Sequence, residues 1–210
     1  MKRLFFISCL SLLIISCASE PKKVLTTGGP LEKAKWETKA VIRDLKENKT
    51  HSLDIDILGH YPKSFRLEVS ALMGVQVASL VLNGDQVSYA LYHQKKFYQG
   101  KASEASFLPL MNVPLHPINF MAIAYDLPLR GSGWTCARGA DKLLAECNQA
   151  DRGIKVQWSD RTPEGQKKVV INGPTFEMRW LFRPPQTEVQ FKDETFRLEP
   201  PAEFKTIQLK

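Results

Sequence analysis

The sequence contains no apolar run long enough to cross a bilayer as a helix. Its longest, Leu4 to Ile15, falls short of the roughly 20 residues a span requires. Histidine is sparse. The four present, His51, His60, His93 and His116, have no ligand spacing, which argues against a metal centre. No Gly-x-Ser-x-Gly or His-Glu-x-x-His occurs, Gly131-Ser132-Gly133 reads as a loop, and Gly28-Gly29 lacks a phosphate-loop continuation. Asp54 and Asp56 share a strand face opposite Leu53, Ile55 and Ile57 and read as its wet side. Nothing here points to catalysis, to a metal or to a dissociable cofactor. The cationic excess, 29 Lys and Arg against 22 Asp and Glu, is spread as pairs such as Lys22-Lys23, Lys95-Lys96 and Lys167-Lys168. Such pairs read as solvated positions. They favour anionic lipid head groups weakly and argue against a nucleic-acid partner.

The first residues supply the strongest positive signal. Met1-Lys2-Arg3 is cationic, Leu4 to Ile15 has the length of a signal-peptide apolar region, and Leu13-Ile14-Ile15-Ser16-Cys17 resembles a bacterial lipobox. Residues 1–16 are therefore expected to be a lipoprotein signal peptide and Cys17 the lipid anchor, carrying covalent diacylglyceryl and acyl groups. The alternative is an ordinary signal peptide that happens to contain a cysteine. Two or more chains anchor stably where one binds marginally. Ala18 and Ser19 follow the anchor, with no Asp beside the Cys. By resemblance to enterobacterial sorting this implies a periplasm-facing position on the outer membrane. Residues 17–30, rich in Ser, Pro, Lys, Thr and Gly, read as a lipidated flexible tether, and residues 31–210 as one domain.

Export makes the remaining pair, Cys136 and Cys147, a disulfide by default. Trp134 to Arg138 and Leu143 to Asn148 read as facing strands. A two-residue turn at Asp141-Lys142 would set the two cysteines directly opposite each other.

Period-two alternation dominates the domain. It marks strands at Trp36–Ile42, Leu53–Ile57, Phe65–Val69, Ala78–Leu82, Val87–Leu91, Phe97–Gly100, Ile154–Trp158, Lys168–Ile171 and Phe176–Phe182. The final strands are expected from Val189, Phe191, Phe196 and Leu198. Leu31 to Lys35 reads as a short helix entered at Pro30. Ser103 caps a short helix through Phe107, and Ile118 to Tyr125 forms an apolar helix stopped near Pro128. The expected fold is mainly β with an α insertion: a single curved antiparallel sheet of about eleven strands, covered by helices.

Three stretches then resemble the LolA/LolB superfamily of lipoprotein carriers and receptors, LolB being itself an outer-membrane lipoprotein. Phe65 to Gly74 is similar to the LolB strand that runs into a protruding loop. Val113-Pro114-Leu115 through Asp126-Leu127-Pro128 is similar to its proline-bounded helical segment. Phe196 to Phe204, with Pro200-Pro201, is similar to the carboxy-terminal signature. Departures are Ala71-Leu72-Met73 where the family has a proline, Ile123 where it has tryptophan, and the cysteine pair. The resemblance implies an unclosed β-barrel with a helical lid, holding acyl chains in an apolar cavity without bond chemistry. Implied partners are membrane lipid, client lipoproteins and a LolA-like periplasmic carrier. Candidate cavity-lining residues are Phe65, Leu67, Val69, Leu80, Phe107, Leu110, Ile118, Phe120, Met121, Trp134, Trp180 and Phe182. Alternation reveals an inward face, so each of these could equally fill a core. Leu72 and Met73 are implied as a membrane-inserting loop, the alternative being a buried bend in a strand. The remaining reading is a structural or protein-binding outer-membrane lipoprotein with no lipid transfer.

Overall fold

The computed structural model describes residues 31–108 and 115–209. The signal peptide, Cys17 and the tether lie outside them, as does Leu110. Twelve strands form one sheet: β1 (Lys33–Asp44), β2 (Lys49–His60), β3 (Ser64–Ser70), β4 (Gln76–Asn83), β5 (Gln86–Leu91), β6 (Lys96–Lys101), β7 (Trp134–Arg138), β8 (Leu144–Gln149), β9 (Ile154–Ser159), β10 (Lys167–Asn172), β11 (Phe176–Phe182) and β12 (Lys205–Leu209). Their order is β12-β6-β5-β4-β3-β2-β1-β11-β10-β9-β8-β7, so β12 and β7 are the two edges and the sheet is unclosed. Among the described residues one α-helix is present, α1 (Pro117–Ala124), with short 3-10 turns elsewhere.

Alternation translates into cross-strand rows on the concave face. One row runs Trp36, Ile57, Leu67, Leu80, Tyr89, Tyr98. Another runs Ala40, Trp180, Val169, Trp158. A third, Ile42, Met178, Ile171, Val156, Cys147, ends at Cys136 on the edge strand. Side chains two residues apart share a face and directly opposed pairs touch, so each row is a continuous apolar ridge. Charged partners such as Arg66 and Glu68, joined at 2.5 Å, take the other face of β3.

Several expectations change. Leu31 to Lys35 is not helical; Lys33 already pairs with His60 in the long β1–β2 hairpin, where twelve paired positions outweigh one proline signal. Val189, Phe191, Phe196 and Leu198 form no strands. The segment runs across the strands, so it has no parallel or antiparallel neighbour to pair with. It is held by side chains instead: Arg66 Nη1 donates to the Thr195 carbonyl at 2.9 Å, and Phe191 and Phe196 meet edge to face at 5.2 Å. The last strand is β12, and it runs parallel to β6, the one departure from antiparallel pairing in the sheet. The long return across the sheet is what permits a parallel entry.

The disulfide is present, Cys136 to Cys147, between directly paired residues of β7 and β8. The turn differs from expectation. Gly139 and Leu143 close it, leaving Ala140-Asp141-Lys142 as a three-residue loop with Lys142 at φ 64°. A register shift beside Arg138 then restores the pairing that opposes the cysteines.

Candidate functional site

Helix α1 lies on the concave side of the sheet. Pro117 occupies its first turn, where no amide donor is needed, and His116 caps it. The His116 Nδ1 accepts from the Ile118 amide at 3.1 Å while Nε2 faces the Ala102 carbonyl at 3.2 Å, which assigns the proton to Nε2. Every α1 residue except Ile118 is buried. A helix apolar on all sides belongs inside a core, and α1 fills the concavity as much as it covers it. Asn119, fully buried, is satisfied by both polar groups of the Arg130 backbone, at 3.0 and 2.8 Å.

The carboxy-terminal end of α1 rests on a buried cation. Lys167, 3% exposed, donates to the Ile123 carbonyl at 3.0 Å, the Ala124 carbonyl at 2.6 Å and the Asp126 carboxylate at 2.9 Å. Its ammonium also lies 4.8 Å from the centre of the Phe182 ring. A cation here meets the negative end of the helix dipole and carbonyls with no intrahelical partner. Burial pushes its pKa down, and the Asp126 charge opposes that shift. Arg161 shares Asp126 at 3.2 Å. A pair such as Lys167-Lys168 reads as solvated; Lys168 is, but Lys167 is not. The signal that could have found it is phase, since Lys167 keeps step with inward Val169 and Ile171.

Eight of the candidate lining residues, Phe65, Leu67, Val69, Leu80, Phe120, Met121, Trp180 and Phe182, are buried in one apolar cluster, and Ile118 and Trp134 pack against it partly exposed. Phe107 lies in a 3-10 turn entered at Ser103, whose amide donates to Ser106 Oγ at 2.9 Å. Trp180 and Phe182 rings lie 4.6 Å apart and Phe120 is 6.0 Å from Trp180, so α1 and the sheet are in direct contact. The interior formed by the described residues is thus packed. Two open clefts with mixed polar and apolar walls lie on the described residues: about 190 Å³ lined by Glu37, Thr38, Lys39, Asp54, Asp56 and Arg183, and about 430 Å³ between Leu31–Lys33 and Thr187–Gln190. Asp56 beside the first has its pKa raised, chiefly by desolvation.

Met73 stands apart from this core. It is 98% exposed at the tip of the loop between β3 and β4, at φ 63°, followed by Gly74 at φ 73°. Val75 beside it is 61% exposed. Successive left-handed residues turn the backbone outward, a conformation strained for methionine and free for glycine.

No protein-family model matches the sequence, and no curated protein is similar to it in sequence. Solved structures are similar in fold. A LolA superfamily protein from Nitrosomonas europaea superposes with a TM-score of 0.52 at 5% identity, over 80% of this chain and 91% of that one. The fold is LolA-like. Weaker likenesses are an outer membrane lipoprotein-sorting protein domain from Vibrio parahaemolyticus, TM-score 0.49, 6% identity, 80% and 90% covered, and a conserved protein from Thermus thermophilus, TM-score 0.42, 10% identity, 83% and 90% covered. In this LolA-like fold the twelve-stranded sheet supplies the shell, α1 the inner wall and Met73 an outward apolar point.

Proposed function

We propose that this chain is a lipoprotein anchored through Cys17 at the periplasmic face of the outer membrane, and that it receives acylated client lipoproteins and helps insert them into that membrane. The observation that carries the reading is Met73. Met73 and, two residues on, Val75 leave two apolar side chains in water at one loop tip, on a backbone turned left-handed at Met73 and Gly74, an arrangement that offers them to a second apolar phase. A LolA-like sheet with an apolar concave face supplies the other half of the task. Burial of hydrocarbon is worth about 25 cal/mol per Å² before ordering costs.

Because the interior is packed, an acyl chain enters only as α1 side chains such as Phe120 and Met121 yield space. The affinity is then reduced by the fraction of molecules in which they have done so. The work is binding and hand-over, with no bond made or broken.

The test is a transfer assay in which an acylated lipoprotein is passed to outer-membrane vesicles by the acylated full-length protein. Changing Leu72→Glu together with Met73→Glu is expected to abolish delivery while leaving folding intact; undiminished delivery would remove the tip from the mechanism. The packed interior favours a second reading, a structural or protein-binding outer-membrane lipoprotein. That reading prevails if the purified protein neither carries nor takes up acyl chains.

A further inference from the structure

Some of the inward-facing polar groups of the sheet are fully satisfied and some are not. Trp180 Nε1 donates to Thr38 Oγ1 at 2.6 Å, and Thr38 Oγ1 passes the bond to the Ile55 carbonyl at 2.7 Å. Lys167 has its three acceptors. Tyr89 Oη and Trp158 Nε1, by contrast, have no hydrogen-bond partner among the described residues, although Tyr89 is 0% and Trp158 6% exposed; Gln149 Oε1, Tyr125 Oη and Arg161 Nε share that condition. Buried polar groups are nearly always partnered, and each exception costs the fold the desolvation of that group.

Their placement is related. Tyr89 lies on β5, third from the β12 edge, and Trp158 on β9, third from the β7 edge. Both belong to the apolar cluster on the concave face. They stand in different rows, whose levels on β1 are Trp36 and Ala40, so they are offset along the strands by about four residues, roughly 13 Å. The two flanks of the sheet thus each present one donor to the interior.

We propose that Tyr89 and Trp158 are recognition points for the ester or amide carbonyls of a bound acyl group. This rests on the acyl-sheltering reading above and adds what the interior selects. Both groups are neutral donors, so they match a neutral acceptor. A phosphate or carboxylate would need a cation; Lys167 is already engaged by three oxygens, and Arg161 beside it is paired with Asp126 at 3.2 Å. Hydrocarbon alone would leave both donors unpartnered, so a ligand bearing carbonyls is favoured over one without.

The test compares ester-linked dipalmitoyl phosphatidylglycerol with its ether-linked dihexadecyl counterpart, which keeps the chains and head group and removes the carbonyls. Binding of each to the full-length protein and to Tyr89→Phe and Trp158→Phe is measured by native mass spectrometry from detergent micelles. The expected result is a 3- to 10-fold preference for the ester lipid, about one net hydrogen bond, lost in either variant with ether-lipid binding unchanged. Tyr89→Phe should also leave the lipid-free melting temperature unchanged or raised. Equal binding of the two lipids by the unaltered protein, or variants that weaken both lipids alike, overturns this inference and spares acyl sheltering. Binding of neither lipid removes both.

Discussion

Lys167 Nζ and Asp126 Oδ1 meet at 2.9 Å, joining the first residue of β10 to the loop that leaves α1. The two differ in environment, the lysine side chain being 3% and the aspartate 38% exposed. The interaction therefore holds a dry cation against a partly wet anion. Its further partners are the last carbonyls of α1, so one side chain fixes how the helix seats in the sheet.

Lys167→Met keeps the length of the side chain and removes its donors. It is expected to destabilise the protein by about 2–4 kcal/mol, because the Ala124 carbonyl loses its lysine donor, the Ile123 carbonyl is left with the long Asp126 amide contact at 3.4 Å, and Asp126 keeps Arg161. Amide hydrogen exchange resolved by mass spectrometry should show the loss first in residues 117–127. Uniform loosening across the sheet would contradict the assignment.

Gly59→Ala tests a close approach. A Cβ at Gly59 would collide with Tyr125 Oη and meet its ring at 2.7 Å. Tyr125 is held in turn by Trp36 at 4.9 Å and Tyr61 at 5.4 Å between ring centres, so it has little room to retreat. The expected cost is about 1–3 kcal/mol in urea unfolding, with partial recovery when combined with Tyr125→Leu.

The disulfide closes a short loop, with its cysteines 11 residues apart. Replacing both cysteines by alanine should lower stability by about 2–3 kcal/mol. Alkylation with and without reductant, read by mass, checks the bond itself. The edge strand β7 should be the part that frays, since it has a neighbour only on the β8 side.

Much of this architecture follows from period-two alternation. Trp36, Thr38 and Ala40, or Phe65, Leu67 and Val69, can be buried together only if the chain is extended, and they are. The return segment misleads for the same reason. Val189 and Phe191 alternate as a strand would, yet alternation reports a face and carries no information about a neighbour to pair with. The inward lysine was hidden by composition: a Lys-Lys pair reads as wet, and only its phase with Val169 and Ile171 says otherwise. Leu72-Met73-Gly74 left a buried bend and an exposed tip open, because burial of a three-residue loop depends on what lies above it; Met73 is exposed.

Alkaline pH should weaken the fold through its tyrosines. Burial raises the pKa of both Tyr89 and Tyr125 above the ordinary 10.0. The folded state therefore retains protons that the unfolded chain releases. The stability this represents is complete below pH 10.0 and falls as pH rises through that value towards the raised pKa values. Urea titrations between pH 9 and 11 should show a declining midpoint, with a shallower decline in Tyr89→Phe; a decline of unaltered steepness would mean that this hydroxyl is not protected.

The direction of β1 has a consequence for how such a molecule could sit on a bilayer. Lys33 is level with His60 and Ser64, whereas Ser70, where the Met73 loop begins, is level with Asp54 and Lys39. The chain enters the domain about 20 Å short of that loop, measured along the strands. Cys17 to Pro30 can reach at most about 50 Å when fully stretched. A leash anchored at Cys17 must therefore double back beside the sheet for Met73 to touch the same leaflet, and one cut to fewer than about six residues would hold the methionine away from the lipid.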